Sequence, residues 1–394
     1  MLRIIHTADV HLGARHDDLG EQAAAQRERQ FAAFKAAVDL ALAEKVDLFL
    51  IAGDLFDSNV QPRRSVERVA AELKRLVEAK IRTVIIPGTH DVYDHSSIYA
   101  AYDVAKMAGS TAGDVMVTVL DPDHPSVRIP ALDAVVHGRV FGTKRAPQSP
   151  LTEMTLAAAE LAAGQPAPTW QIGMIHGSIS IPGKTDRDEV VITTEEMTAC
   201  GLDYLALGHW HSAQSGRAGA VTHAYAGAPE AVALDQDRAG KVLLVELDDR
   251  DGKRTVTIDE RQVGKTRFDK LEIDAATIAT QPALIDLLAA RADPDLVLDA
   301  RLVGVRRDEL DLDLDEIEAA LAPSFLKVRV RDASVPALTE GPLPSPDTIA
   351  GAFIRDLEGS IKQLEAAGSI AEAAEQRDAL RLGRLLLGGH EVSL

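Results

Sequence analysis

A chain of 394 residues is too long for one small core, and 46% hydrophobic with 26% charged residues is ordinary for a globular protein. A formal net charge of −19 argues against a free-standing nucleic-acid binder, while the single cysteine, Cys200, excludes an intrachain disulfide and argues against a thiolate metal cluster. No apolar run reaches the roughly 18–20 residues of a membrane span, and the strand-like start leaves no room for a signal peptide, so a cytoplasmic protein without a membrane partner is expected.

The N-terminal half alternates strand and helix patterns. Leu2 to Ile5 reads as a strand, and Gln22 to Glu44 as a helix with Phe31, Phe34, Val38 and Leu42 at helical spacing. Asp47 to Ala52 is a second strand, and Arg63 to Ala79 a second helix behind Pro62. Arg82 to Ile86 is a third strand, cut off by Pro87-Gly88, and Ser97 to Met107 is expected to be helical. This order implies an α/β fold with a partly parallel sheet.

Short strands broken by prolines follow from Val115 to Phe141, then an Ala-rich helix, Leu151 to Ala163, and a loop, Gly164 to Pro168. Gln171 to Ile175 is a strand delivering His176. Thr193 to Cys200 is a short helix with a Thr193–Glu196 capping box, and Tyr204 to Leu207 is a strand delivering His209 and His211. Val221 to Tyr225, Lys241 to Leu247 and Thr255 to Gln262 are further strands, the last two a hairpin. A boundary is placed near Gly264. Residues 265–333 read as a small α+β unit with an acidic segment from Asp308 to Glu318. Residues 334–394 read as a Pro-rich linker and two amphipathic helices, the second stopping at Gly388-Gly389.

Asp9, His11, Asp54, His90, His176, His209 and His211 all follow expected strands, where open α/β sheets place ligands. Mixed Asp and His ligation suits Mn2+, Fe2+ or Zn2+ better than an all-oxygen cage for Mg2+ or Ca2+. The set exceeds the needs of one ion, and two ions fit it better. A lone strand-end histidine is more often packed or solvated than a ligand; the recurrence over five strands changes the odds.

In the order Asp9-Val10-His11, Gly53-Asp54, Gly88-Thr89-His90-Asp91, His176-Gly177 and Gly208-His209-Trp210-His211, the chain resembles the calcineurin-like metallophosphoesterases. Within them it is most similar to SbcD-type DNA double-strand-break repair nucleases of the YhaO-like branch, through His6 to Gly13, Gly53 to Asp57, Gly208 to His211, Tyr225 to Glu230 and Ala379 to Gly383. The resemblance covers about the first 265 residues well and the rest loosely. It implies a four-layer α/β/β/α sandwich with two mixed sheets, a nuclease domain over 1–264, a capping domain over 265–333 and a partner-binding helical segment over 334–394.

The same resemblance implies two divalent ions, Mn2+ first among them. Asp9, His11 and His211 would hold one ion, and His176 and His209 the other, with Asp54 bridging and His90 as the catalytic acid. Thr89 stands where the family has a metal-binding Asn, a departure that would weaken the second site. The implied activity is a DNA exo/endonuclease using a two-metal-activated hydroxide, with DNA as substrate, an SMC-like coiled-coil ATPase (SbcC-type) as partner, and a homodimer as a family expectation. The alternatives are a phosphoesterase on a smaller phosphoester and a weakly active or degenerate scaffold subunit.

Other residues are read more plainly. Trp210 is expected to pack and fix the direction of its neighbours, and Asp91 either to orient a neighbour or to cap a helix. Asp57 is expected near the phosphate or capping a turn, and Tyr93 and Tyr99 in the core ahead of stacking on a base. Arg63, Arg64 and Arg68 share a helix whose solvated face is the first reading and a phosphate-backbone contact the second.

Overall fold

The computed structural model describes residues 1–140, 142–146, 148–152, 154, 168–185, 190–232, 236, 238–307, 310–336 and 344–387, without the side chains of Asp18, Glu21, Arg381 and Leu385. Most of the expected helix from Leu151 to Ala163, most of the loop that follows it, the start of the acidic segment, half of the Pro-rich linker and the Gly388-Gly389 stop lie outside the described residues. The chain forms two compact units, Met1–Arg267 and Phe268–Leu394. The second holds both the α+β segment and the terminal helices, which the sequence had set apart at 333/334.

The first unit is built on β1 (Leu2–Thr7), α1 (Ala23–Glu44), β2 (Leu48–Ala52), α2 (Arg63–Glu78), β3 (Arg82–Ile86) and the short helices α3 (Ile98–Ala101) and α4 (Val104–Met107). Then come β4 (Val117–Val119), β5 (Ser126–Ile129), β6 (Ala134–Gly138), β7 (Trp170–His176), β8 (Ser178–Ile179), β9 (Val191–Ile192) and α5 (Thr194–Ala199). The unit closes with β10 (Tyr204–Gly208), β11 (Gln214–Ala218), β12 (Val221–Tyr225), β13 (Lys241–Arg250) and β14 (Lys253–Gln262). One six-stranded sheet runs β14-β13-β1-β2-β3-β4 and the other β11-β12-β10-β7-β6-β5. β1 to β4 pair in parallel, as do β6, β7, β10 and β12; antiparallel strands close three of the four edges, and the parallel β4 the fourth.

The central strands are apolar on both sides because both sides are covered. In β2, Phe49 and Ile51 pack with Phe34, Val38, Val66 and Leu73 of α1 and α2. Leu48, Leu50 and Ala52 pack between the sheets against Trp170, Ile172, Met174 and Tyr204. Beyond the second sheet, Leu205 and Leu207 meet Met197 of α5 and Leu151. The layers are therefore helix, sheet, sheet, helix: the α/β/β/α sandwich expected above. Each fully buried aliphatic or aromatic side chain here contributes about 1.5–3 kcal/mol.

The stretch Ser97 to Met107 is not one helix. Tyr102 is extended, at φ −130° and ψ 122°, and the Asp103 side chain accepts from Lys106 N, so the chain stops and restarts. β11 was not foreseen: its Gln-Ser-Gly-Arg-Ala has no apolar alternation and adds as an edge strand to β12. The Thr193–Glu196 capping box is formed.

The second unit has a three-stranded sheet, β15 (Arg267–Asp274), β16 (Asp293–Val303) and β18 (Phe325–Asp332), covered by α6 (Gln281–Ala289) and α7 (Leu314–Leu321). A minor pair, β17 (Val305–Arg306) and β19 (Val335–Pro336), lies beside them in sequence, and the helices α8 (Ile349–Ala366) and α9 (Ile370–Leu387) follow.

Candidate metal centre

The parallel strands β1, β2 and β3 of one sheet and β7 and β10 of the other all end at the site. Four of the polar residues that follow these strands sit at unusual backbone: φ is +53° at Asp9, +48° at His11, +50° at Asp54 and +101° at His209. Backbone held in such sparsely populated regions concentrates at functional sites. Asp9 N donates to Gly53 O at 3.1 Å and His11 N to Asp54 O at 3.0 Å, which locks the first two strand ends together. Glycines allow the close approach. Gly53 is at φ +91°, where a Cβ would run into the His176 ring, and a Cβ on Gly88 would strike the Asp54 carboxylate.

Three groups of ligand atoms each converge within 4.8 Å: Asp9, His11 and His211; Asp9, Asp54 and His176; and His11, Asp57 and His90. The first is the set foreseen for one ion. The second joins His176 and Asp54, foreseen for the other ion and the bridge, and adds Asp9. His209 is outside these groups, its ring centroid 5.4 Å from that of His176, while its backbone N–H donates to the Asp9 carboxylate at 2.9 and 3.1 Å. Thr89 is half-buried, and its hydroxyl makes no hydrogen bond among the described residues. The next amide, His90 N, donates to Asp54 Oδ1 at 2.8 Å.

The tautomers follow from partners that can only accept. His176 Nδ1–H donates to Ala52 O at 3.0 Å, leaving Nε2 to face the centre. That buried Nε2 lies 3.1 Å from Asp54 Oδ2 yet outside hydrogen-bonding geometry. His11 Nδ1–H donates to Asp57 Oδ1 at 3.1 Å, and its Nε2 lies 3.2 Å from His211 Nε2. Paired lone-pair atoms aimed at one another, with a fixing partner behind each imidazole, are what a cation held by nitrogen and oxygen needs. The donor set fits a divalent transition metal.

Electrostatics agree. Burial lowers the His176 pKa, but Asp54 and Asp9 reverse this and raise it to about 10. In His11 burial likewise opposes, and Asp57, Asp54 and Asp9 win, so its pKa rises. Burial raises the Asp54 pKa, but His176 and His11 hold its carboxyl well below the usual range. His211, by contrast, is lowered, mainly by burial. Without a cation the centre gathers protons instead, which is the behaviour of clustered carboxylates starved of positive charge.

Around this core, Asp91 is fully buried and caps no helix. It accepts from Gly88 N at 2.7 Å, Phe56 N at 3.2 Å and the Tyr99 hydroxyl at 2.6 Å, tying three segments under the site. Tyr99 is therefore buried rather than free to stack on a base. His90 is exposed; its Nδ1–H donates to Asp57 O at 3.0 Å, and its ring stands edge-on to His11 at 4.6 Å. Trp210 stacks on Tyr225 at 5.5 Å and donates to Ser178 Oγ at 2.9 Å, bracing the loop that carries His209 and His211. Sequence reasoning put Asp57 near the phosphate or at a turn cap and did not foresee its hydrogen bond to His11, although the Gly53-Asp54-Leu55-Phe56-Asp57 run singled it out. It missed Gln236, whose side-chain amide reaches His211 Nδ1 and which no local pattern marks.

The profile of the calcineurin-like phosphoesterase family matches residues 2–213, and the chain belongs to that family. Among curated relatives, the DNA double-strand break repair protein Mre11 of Aeropyrum pernix is 40% identical over 91 residues, 23% of this chain and 21% of that protein. The uncharacterized metallophosphoesterase YhaO of Bacillus subtilis is 27% identical over 220 residues, 54% of this chain and 49% of its own. A subunit of the nuclease SbcCD from Rhodobacter capsulatus is 28% identical over 269 residues, 58% of this chain and 62% of that one. The matched region thus spans from a fifth to about three fifths of these relatives' lengths.

Proposed function

We propose that this chain is a divalent-metal-dependent phosphodiesterase that cleaves DNA during repair, as an exo/endonuclease working with an SMC-like coiled-coil ATPase. The observation that carries the reading is the convergence of Asp9, His11, Asp54, His176 and His211 from the strand ends of two facing sheets. The names of the Mre11 and SbcCD relatives support DNA as the substrate.

Asp9, His11 and His211 would hold one ion. Asp54, His176 and His209 would hold the other, with Thr89 beside them in the chain order of the motifs; the mixed donor set suits Mn2+, Fe2+ or Zn2+, and Mn2+ is put first on the family likeness. When bound, such ions supply positive charge at the phosphoryl oxygens and lower the pKa of water. The chain's own residues do the rest. Asp57 and Ala52 fix the tautomers of His11 and His176. His90, with Nδ1–H on the Asp57 carbonyl, keeps Nε2 available to carry a proton to the leaving oxygen. In the second unit, α8 and α9 leave the apolar side chains of Ile349, Leu386 and, at the other end of the pair, Ile370 exposed, where helices of the ATPase could attach.

The test is Mn2+-dependent cleavage of DNA with a free end. Asp54→Ala should lower the rate by at least about 100-fold, the upper end of what even outer-shell losses cost. Thr89→Asn should lower the Mn2+ concentration needed for half-maximal rate. Cleavage that survives Asp54→Ala would put the chemistry elsewhere, and hydrolysis of small phosphodiesters with intact DNA ends would favour the smaller-substrate reading.

A further inference from the structure

A cavity of about 670 Å3 opens beside the metal centre, where the loops after β1 and β2 run into α1 and α2. It is lined by Arg15, Arg27, Arg64 and Arg68, with Glu28 the one carboxylate in its wall. Arg68 is already committed: it grips Glu28 at 2.7 and 2.8 Å and lies 3.7 Å over the Phe31 ring. Arg27 Nη1 donates to the Arg15 carbonyl at 2.9 Å, which holds those two residues together. Arg15, Arg27 and Arg64 are exposed, and none forms an ion pair among the described residues. Three such guanidinium groups in one cavity contrast with the formal net charge of −19.

We propose that this cavity binds the phosphates of a nucleic-acid strand next to the one at the metal centre. The inference rests on the phosphodiesterase reading above and adds a strand-binding site to it. Position supports it. From His11 to Arg15 the chain can span at most about 14 Å, which is the rise of about four nucleotides at roughly 3.4 Å each. A strand whose scissile phosphate sits at His11 therefore meets these arginines within a few nucleotides. Guanidinium forks suit phosphate oxygens. α2 also begins at the rim, after Pro62, without a side-chain cap and with no acidic residue in its first turn, so its positive end adds to the field. The volume is in the range of about 300–1,000 Å3 usual for ligand sites.

The experiment uses the full chain in EDTA, so that binding is read without turnover. A labelled single-stranded oligonucleotide is titrated between about 50 and 200 mM salt, against wild type and an Arg15→Gln, Arg27→Gln, Arg64→Gln triple variant. Losing three phosphate contacts at about 0.7 each should shrink the slope of log K against log salt by about 2, and affinity should fall at least about tenfold. Arg64→Gln alone, on the exposed rim, should give about a third of the slope change and guards against misfolding of the triple variant. Unchanged slope and affinity in correctly folded variants overturn the proposal. Polyglutamate binding as tightly as the oligonucleotide also overturns it, because the cavity would then suit an acidic protein segment. A wild-type chain that binds with this salt dependence but hydrolyses no phosphodiester would sink the nuclease reading and leave the strand site standing.

Discussion

His6 stands outside the five ligand motifs, and a structural role is what such a histidine is expected to have. It begins the His6 to Gly13 motif and pairs its Nδ1 with the Tyr204 hydroxyl at 2.8 Å, fully buried. Burial pushes its pKa down to about 3 from 6.5. Because the native pKa is the lower one, the unfolded chain binds the extra proton between those values. Stability from this residue is fully present above pH 6.5 and drains away as pH falls toward 3. At about 1.36 kcal/mol per pH unit, the loss from pH 6.5 to pH 5 is about 2 kcal/mol. Urea unfolding of metal-free protein at pH 7 and pH 5 should therefore cost wild type about 2 kcal/mol more than it costs His6→Gln. Parallel losses in the two proteins would show that the imidazole charges at little cost and that the reading of its burial is wrong.

At the level of elements, strand ends decide the site, and glycine decides the strand ends. Gly53→Ala would force a side chain into the His176 ring at a backbone angle that disfavours one, whereas Gly252→Ala, at φ +78° in the β13–β14 turn, meets nothing within 4 Å. Both should lose about 1–2 kcal/mol to backbone strain. Only Gly53→Ala should also weaken Mn2+ binding, by about 10–100-fold, as when an imidazole loses its support. Equal metal affinity in the two variants, measured by calorimetry, would mean that His176 is not held by that contact. The central strands were legible in advance because burial on both faces writes an uninterrupted apolar run, as in Leu48 to Ile51. The polar residues after them were legible as a recurring order. β11 was not legible because an edge strand of Gln, Ser, Gly, Arg and Ala carries no period. The break at Tyr102 escaped because Asp103 caps as well as it continues a helix. Gln236 and the Ala52 carbonyl escaped because their roles exist only once distant segments meet.

For the molecule as a whole, all the candidate ligands lie in Met1–Arg267, while the second unit has its own core around Ile273, Leu284, Leu298, Ile317 and Val328. Two units with separate cores should melt in separable steps, since cooperativity follows the core. A ligand stabilises only what it binds. Mn2+ at about 100 times its dissociation constant adds about 2.7 kcal/mol per site. For a unit ending at Arg267, with an unfolding entropy of about 2.1 cal/mol/K per residue, that is an upward shift of about 5 °C per site. The transition of the second unit should not move. EDTA should return the first transition to its starting point, and Asp54→Ala should shrink the shift. Calorimetric scans with and without Mn2+ read both transitions in one sample. A shift in both would mean that the units melt as one. A shift in neither, at metal concentrations that support cleavage, would mean that the strand-end carboxylates and imidazoles do not hold the ion on which the reaction depends.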